Sequence, residues 1–225
     1  ALQDEDFRSK LRQNGLQQAK KFSWDETAKR ALMAWKALKK PQTQQKAANL
    51  PTESKPRLAF ISPLPPERTG IADYSAELLP AIAAHYDIEL IVEQEHVDTP
   101  WANAHPDRVH DAAWLRTHAC EMDRVIYQIG NSPFHAFMLP LLREIPGVVV
   151  LHDFYLSGLM SWLEDVAKVD CSWIDALYTA HGYNAVRERF SDPAAAARKY
   201  PVNLQVLQYA EGLIVHSEYS LKLAQ

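Results

Sequence analysis

Cysteine, glycine and long apolar runs are scarce in this sequence of 225 residues. There are only two cysteines, Cys120 and Cys171, and nothing in the sequence pairs them, so we expect reduced thiols. The seven glycines exclude a collagen-like chain or a Gly/Ser linker. The longest apolar run, residues 145–151, is far shorter than the roughly 20 residues that a membrane-spanning helix needs.

The start of the chain lacks the basic flank and the apolar stretch of a secretory signal, which predicts a cytoplasmic protein. The net charge of −4 hides an asymmetry between two segments. Residues 1–56 carry 12 Lys+Arg and 6 Asp+Glu (+6), whereas residues 57–225 carry 12 and 22 (−10). A basic segment can bind nucleic acid or an anionic membrane surface. Here the basic residues are scattered and lack interleaved aromatics, which favours a solvated helical face.

The N-terminal segment has the pattern of helices followed by a linker. Ser23 and Glu26 form a capping box before a run without glycine or proline, which predicts a helix to about Lys40. Pro41 ends that helix. Residues 41–56 are rich in Gln, Lys and Pro, and we interpret them as a linker.

From residue 57 onward, short β-rich runs alternate with helical stretches. The predicted strands cover residues 58–62, 88–92, 124–128, 147–151 and 213–215. The predicted helices cover residues 72–86, 133–144, 173–190 and 202–209. This rhythm predicts an α/β fold, a Rossmann-like, mainly parallel sheet with helices on both faces. In such sheets ligands bind beyond the carboxyl ends of the strands, so the residues that follow each strand are the candidates for chemistry.

The loop after the first strand brings Thr69, Gly70 and Ile71 to the start of a helix that also carries Asp73 and Tyr74. Unpaired amides and the positive end of the helix dipole suit a phosphate or a sugar hydroxyl there. Neither a GxGxxG nor a Walker motif is present, which counts against dinucleotide binding and a P-loop NTPase. The alternative is that Gly70 only makes a tight turn and that Asp73 caps the helix or faces solvent.

Two further strands are followed by polar side chains. Asn131 and Ser132 can bind ligand hydroxyls, or cap the helix that Pro133 begins. His152 and Asp153 follow a central strand, where His152 can bond a sugar hydroxyl or donate to a developing charge. No histidines and carboxylates have the spacing of a zinc site, so we expect no metal.

Four segments in this order, PPERTGIADYS (65–75), QIGN (128–131), LHDF (151–154) and VHSEYS (215–220), resemble the N-terminal half of family-4 (group 1) bacterial glycosyltransferases of GT-B fold. The resemblance implies that residues 57–211 are an acceptor-binding domain. It further implies that a C-terminal domain binds a nucleotide-sugar, and that transfer retains configuration without a metal or other cofactor. Residues 212–225 would then begin this second domain.

The resemblance also assigns roles to residues. Gly70 matches the second glycine of the family's diphosphate loop, here Thr69, Gly70 and Ile71, with Thr69 in place of the first glycine. His152 matches a histidine beside the transferred sugar, and is the expected catalytic residue. The expected lining of the cleft is Asp73, Tyr74, Asn131, Ser132 and Asp153. The family's Glu-x7-Glu motif is absent, which implies that this chain alone is inactive.

Residues 17–28 look like the closing helices of another such transferase, so residues 1–40 would be the tail of an upstream module. The sequence leaves open whether this tail packs on residues 57–211. The implied partners are a nucleotide-sugar donor and a saccharide or lipid-linked acceptor of surface polysaccharide or lipopolysaccharide synthesis. Peripheral contact with the inner face of a membrane is compatible with that role, whereas the acidic domain argues against nucleic acid. Two alternatives stay open: a Rossmann-like module that binds another nucleotide or sugar metabolite, and a structural scaffold.

Overall fold

The structure is a computed structural model. It describes residues 55–224 and, nearer the N-terminus, the helical positions 9, 10, 12, 13, 15–17, 29 and 33. The chain divides into two compact units, Ala1–Gln45 and Lys46–Gln225. Positions 29 and 33 of the helix predicted over residues 23–40 are helical. The rest of that helix, and the predicted linker up to residue 54, lie outside the described residues.

From residue 55 onward, strands and helices alternate. The strands are β1 (Arg57–Ile61), β2 (Asp87–Ile91), β3 (Val109–His110), β4 (Arg124–Ile129), β5 (Val148–Leu151) and β6 (Gly212–Val215). The helices are α1 (Gly70–Ala83), α2 (Pro100–Ala104), α3 (Ala112–His118), α4 (Met138–Glu144), α5 (Ser157–Asp165), α6 (Ser172–His181), α7 (Tyr183–Ser191), α8 (Pro193–Lys199), α9 (Leu204–Tyr209) and α10 (Glu218–Ala224). Short 3-10 turns lie at Pro106–Arg108, Ala119–Glu121 and Pro133–His135.

The six described strands form one sheet in the order β3-β2-β1-β4-β5-β6, and every neighbouring pair is parallel. This order is that of a Rossmann-like sheet, in which the direction of strand addition reverses between β1 and β4. The predicted α/β class with a parallel sheet flanked by helices is therefore confirmed.

The central strands are buried along their whole length. Residues 58–61 of β1 have no exposed surface, and residues 148–151 of β5 are all buried. A parallel sheet is covered by helices on both faces, so its strands are continuous apolar runs rather than alternating patterns. This explains why these strands were recognisable in the sequence.

One charged side chain is buried within the sheet. Glu89 of β2 is 7% exposed, and its two carboxylate oxygens each bind a different neighbour. Oε1 accepts from Nη2 of Arg57 at 3.0 Å, and Oε2 lies 3.0 Å from Nε2 of His110. This carboxylate links β1, β2 and β3, and its hydrogen bonds compensate for its removal from water.

Three predicted boundaries differ from the structure. Residues 212–215 were expected to begin a second domain, but β6 pairs with β5 as the edge strand of the same sheet. The single helix predicted over 173–190 is two helices, because Gly182 has φ +76° between them, a conformation that favours glycine. The helix predicted over 133–144 is a 3-10 turn followed by α4, which begins only at Met138.

Gly147 is the glycine that this sheet requires most clearly. A Cβ placed there would lie 2.7 Å from the carbonyl oxygen and 2.9 Å from the Cβ of Val125 in β4. We predict that Gly147→Ala lowers the free energy of unfolding by about 1–3 kcal/mol, because backbone must shift to relieve this contact. Urea denaturation measures the change.

Gly70→Ala is the matched control, since no described atom lies within 4 Å of a Cβ at Gly70. We expect its stability to stay within about 0.5 kcal/mol of the wild type. Equal stability of Gly147→Ala and wild type would contradict the close approach of β4 and β5.

Candidate functional site

The candidate site lies beyond the carboxyl ends of β1, β4, β5 and β6. The first residues after these strands are Ser62, Gly130, His152 and His216. Because the strands are parallel, their ends meet at one edge of the sheet. We call this edge, with the start of α1, the carboxyl-end crevice.

Side chains fix the loop between β1 and α1. Gln94 holds the main chain of Leu64 with both ends of its amide: Oε1 accepts from Leu64 N and Nε2 donates to Leu64 O, each at 2.9 Å. The buried hydroxyls of Ser62 and Ser75 are hydrogen bonded at 2.7 Å, which ties the end of β1 to α1. The loop therefore presents the start of α1 in a defined position.

Thr69 caps α1, and Gly70 is its first residue. Oγ1 of Thr69 accepts from Ile71 N at 3.3 Å, whereas Gly70 N has no hydrogen bond among the described residues. Gly70 is exposed, and its φ lies outside the left-handed region. The backbone at Gly70 therefore does not itself require a glycine, because any residue could adopt this φ. Asp73 is exposed in the first turn of α1, and its carboxylate makes no described hydrogen bond.

His152 lies half-buried directly after β5, with Nε2 2.8 Å from Oε1 of Gln128. With the amide oxygen facing the ring, Nε2 donates and Nδ1 is left as an acceptor. Burial, together with smaller contributions from the neighbouring His216 and His135, lowers the pKa of His152 to about 3. The imidazole is therefore neutral at physiological pH.

His152 belongs to an aromatic cluster with Tyr74 of α1 and His216, which follows β6. The ring centroids lie 4.9 Å apart for Tyr74 and His152, 4.6 Å for His152 and His216, and 5.5 Å for Tyr74 and His216. Partial burial of the ring lowers the pKa of His216, although the residue as a whole is exposed. Burial raises the pKa of the Tyr74 phenol. We call these three residues the Tyr-His-His cluster.

Asn131 and Asp153 connect the ends of β4 and β5. Asn131 N donates to Oδ2 of Asp153 at 2.8 Å, and Oδ1 of Asn131 accepts from Leu159 N at 2.9 Å. The Asn131 side chain therefore satisfies an amide in the first turn of α5 and does not cap the turn that follows it. The buried hydroxyl of Ser132 has no hydrogen-bond partner among the described residues, so neither residue caps at Pro133.

His135 lies beneath these residues with no exposed surface. A Cβ at Gly130 would be 3.1 Å from both Nε2 of His135 and Oδ2 of Asp153, and would clash with Ile71. The pKa of His135 is lowered to about 4, because the effect of burial outweighs the raising effects of the Gln128 main chain and of Asp153. Even so, neither ring nitrogen makes a hydrogen bond of normal geometry within the described part of the chain.

The structure brings some of the residues predicted from the sequence into contact. Tyr74 with His152, and Asn131 with Asp153, are in direct contact, and Ile71 packs against Gly130 between them. Asp73 and Ser132 make no contact that joins them to this group. His135 and His216 were missed as site residues. His216 could have been found by the same rule as His152, since it too follows a strand directly.

Among the described residues, no group of three or more His, Cys, Asp or Glu is arranged to hold a metal ion. No helix in that part of the chain is long and apolar enough to cross a membrane. Comparison of the chain with protein-family models, with curated proteins and with solved structures finds no match. The fold and the geometry of the site therefore define the protein at the level of a Rossmann-like α/β domain with histidines at the carboxyl-end crevice.

The buried histidines predict a loss of stability in mild acid. In an unfolded chain a histidine has a pKa near 6.5, whereas that of folded His135 is about 4. Between about pH 6.5 and 4, this histidine is protonated in the unfolded state and neutral in the folded state. The free energy of unfolding therefore falls by up to about 3 kcal/mol as the pH is lowered through this range. Above pH 6.5 both states are neutral and His135 contributes no pH dependence.

His135→Leu should flatten this slope, measured as urea midpoints between pH 7.5 and 4.5. Any pH dependence of stability that remains in His135→Leu then comes from other titratable groups. Two of these are His152 and His216, whose pKa values are also lowered in the folded protein. An unchanged slope in His135→Leu would contradict a buried, neutral His135.

Proposed function

We propose that residues 57–215 form the acceptor-binding half of a retaining glycosyltransferase of GT-B fold. In this proposal a donor-binding domain outside these 225 residues carries the nucleotide-sugar, and the chain alone is inactive. The acceptor is a saccharide or a lipid-linked saccharide of surface polysaccharide synthesis. Transfer takes place in the cytoplasm, at the inner face of the membrane where the acceptor is lipid-linked.

One observation carries the proposal: α1, whose first amide is unpaired, contacts a neutral, oriented histidine through Tyr74. The ring of Tyr74, in the second turn of α1, is 4.9 Å from the ring of His152. Gly70 N is unpaired at the first position of the helix, and no described atom occupies the space that a side chain would fill. Neither packing nor backbone conformation requires a glycine at position 70. The close approach of a ligand to the main chain would explain why a glycine is present there.

The chemistry that this arrangement supports is the departure of a nucleotide diphosphate. When the bond between the sugar and the diphosphate breaks, negative charge grows on the phosphate oxygen. A free amide and the positive end of the 14-residue helix α1 can stabilise that charge without a metal ion. The glycine at position 70 allows the phosphate to approach the main chain.

His152 acts by positioning rather than by proton transfer in this proposal. A pKa near 3 means that the ring is not an imidazolium at neutral pH and so cannot act as a general acid. Its Nε2 is bound to Gln128, which leaves Nδ1 to accept a hydrogen bond from a hydroxyl of the transferred sugar or of the acceptor. The contacts with Tyr74 and His216 hold the ring for this purpose.

We predict that His152→Ala lowers turnover of the complete, two-domain protein by at least about tenfold, with the fold intact. Transfer from UDP-, GDP- and dTDP-sugars is measured by release of the nucleoside diphosphate. His96→Ala is the control, because His96 is exposed and its ring makes no described hydrogen bond. Wild-type turnover in His152→Ala would contradict the proposed role and favour a binding module without transferase activity.

Gly70→Val should have a different effect. The empty space around Gly70 accommodates the side chain without loss of stability, but the valine blocks the phosphate, so KM for the donor rises about tenfold or more. Gly70→Ala, with one methyl group, should fall between valine and wild type. A donor KM in Gly70→Val equal to that of the wild type would show that no phosphate approaches this amide.

A further inference from the structure

A cavity of about 410 Å³ opens at the carboxyl-end edge of the sheet. Its walls come from the loops after β1, β2 and β4 and from α5. Pockets of this volume commonly hold small ligands. Three aromatic side chains line it, Phe134, Phe137 and Trp162, and we call it the aromatic cavity.

The polar groups of the aromatic cavity are of one kind. Two carboxylate residues, Glu67 and Glu93, line it, and none of its described lining residues is basic. Neither carboxylate has a hydrogen bond or ion pair with a described residue. Gln94 also lines the cavity, but both ends of its amide are bound to Leu64, so it serves as a wall. The cavity is therefore rich in free acceptors.

Arg116 is the basic residue that interacts with Glu93, but it is hydrogen bonded to a different carboxylate, that of Glu144. The pKa of the Arg116 guanidinium is raised mainly by its hydrogen bond to Glu144, and to a smaller extent by Glu93. Nε of Arg116 lies 2.5 Å from Oε2 of Glu144. Arg116 therefore does not supply a counter-ion inside the cavity, and an anionic ligand would meet only negative charge there.

The aromatic walls are held in place by the loops of the crevice. Phe134 is 36% exposed within the turn after β4, so part of its ring is accessible to a ligand. Trp162 lies on α5, one turn after Leu159, whose amide is bound by Asn131. The indole N–H of Trp162 has no hydrogen-bond partner among the described residues. The cavity thus offers apolar ring faces and two carboxylates.

We propose that the aromatic cavity binds a saccharide ring that carries hydroxyl or amino groups and no acidic group. A sugar has an apolar C–H face that packs on aromatic rings, and hydroxyl donors that suit carboxylate acceptors. A uronic acid or a phosphate has the wrong charge for this cavity. The inference rests on the proposed function, since it makes this ring part of the acceptor.

The test is ligand-observed NMR titration of the full 225-residue chain with glucose, glucosamine and glucuronate. We expect glucose and glucosamine to bind, and glucuronate to bind at least about tenfold more weakly. Phe134→Ala should weaken glucose binding about tenfold. The double variant Glu67→Gln, Glu93→Gln should bring glucuronate to within about threefold of glucose, because the repelling charges are gone.

Phe190→Ala is the matched control, since Phe190 is 69% exposed on α7 and does not line the cavity. It should bind all three sugars as the wild type does. Three results would overturn the inference: no binding of glucose or glucosamine, equal binding of glucuronate and glucose, or wild-type binding by Phe134→Ala.

Turnover of the two-domain protein separates this inference from the proposed function. Sugar binding as predicted, together with turnover that is insensitive to His152→Ala, would remove the proposed function and leave the saccharide site. Turnover that depends on His152, without sugar binding to the cavity, would remove the saccharide site and leave the transferase.

Discussion

Coverage of the parallel sheet by helices is the constraint on which the rest of the structure depends. Residues 58–61 of β1 have no exposed surface, so a polar group there would need a partner inside the protein. Glu89, with bonds to Arg57 and His110, is such a case. The other polar side chains gather where the strands stop, and this is why His152, Asp153 and Asn131 meet although they belong to different strands.

Bonds between side chains and main chain turn separate loops into one surface. Gln94 fixes the loop after β1, and Asn131 joins the end of β4 to both Asp153 and α5. These side chains already have hydrogen-bond partners within the described residues. Only a small number of polar groups at the crevice are therefore available to bind a ligand. They include Nδ1 of His152, the amide of Gly70 and the carboxylates of the aromatic cavity. A site held in this way needs little reorganisation to bind its ligand.

The parts of the fold that could be predicted from the sequence are those that a local pattern determines. Five strands were found because each contains a short run of β-rich, mostly apolar residues, most clearly in β1 and β5, which are buried. β3 was missed because it has only two residues, which pair with Leu90 and Ile91 of β2.

The rule that ligands bind at strand ends selected Asn131, His152 and Asp153. It could not select His135 or Trp162, since their place at the crevice depends on how distant helices pack. The assignment of β6 to a second domain failed for a related reason: a strand pattern does not specify which sheet the strand joins.

The carboxyl-end crevice contains two regions that differ in the ligand charge they favour. Residues 57–225 have 12 basic and 22 acidic residues, so a phosphate meets repulsion over much of this surface. The start of α1 is an exception, because the helix dipole and the unpaired amide of Gly70 favour negative charge there. The aromatic cavity, with Glu67 and Glu93, opposes it. The ring of His152 is neutral, so it adds no charge that would favour or oppose a ligand in either region. In the proposed transferase this difference gives the two substrates different places. The diphosphate of the donor is favoured at the start of α1, and a sugar of the acceptor without an acidic group is favoured in the aromatic cavity.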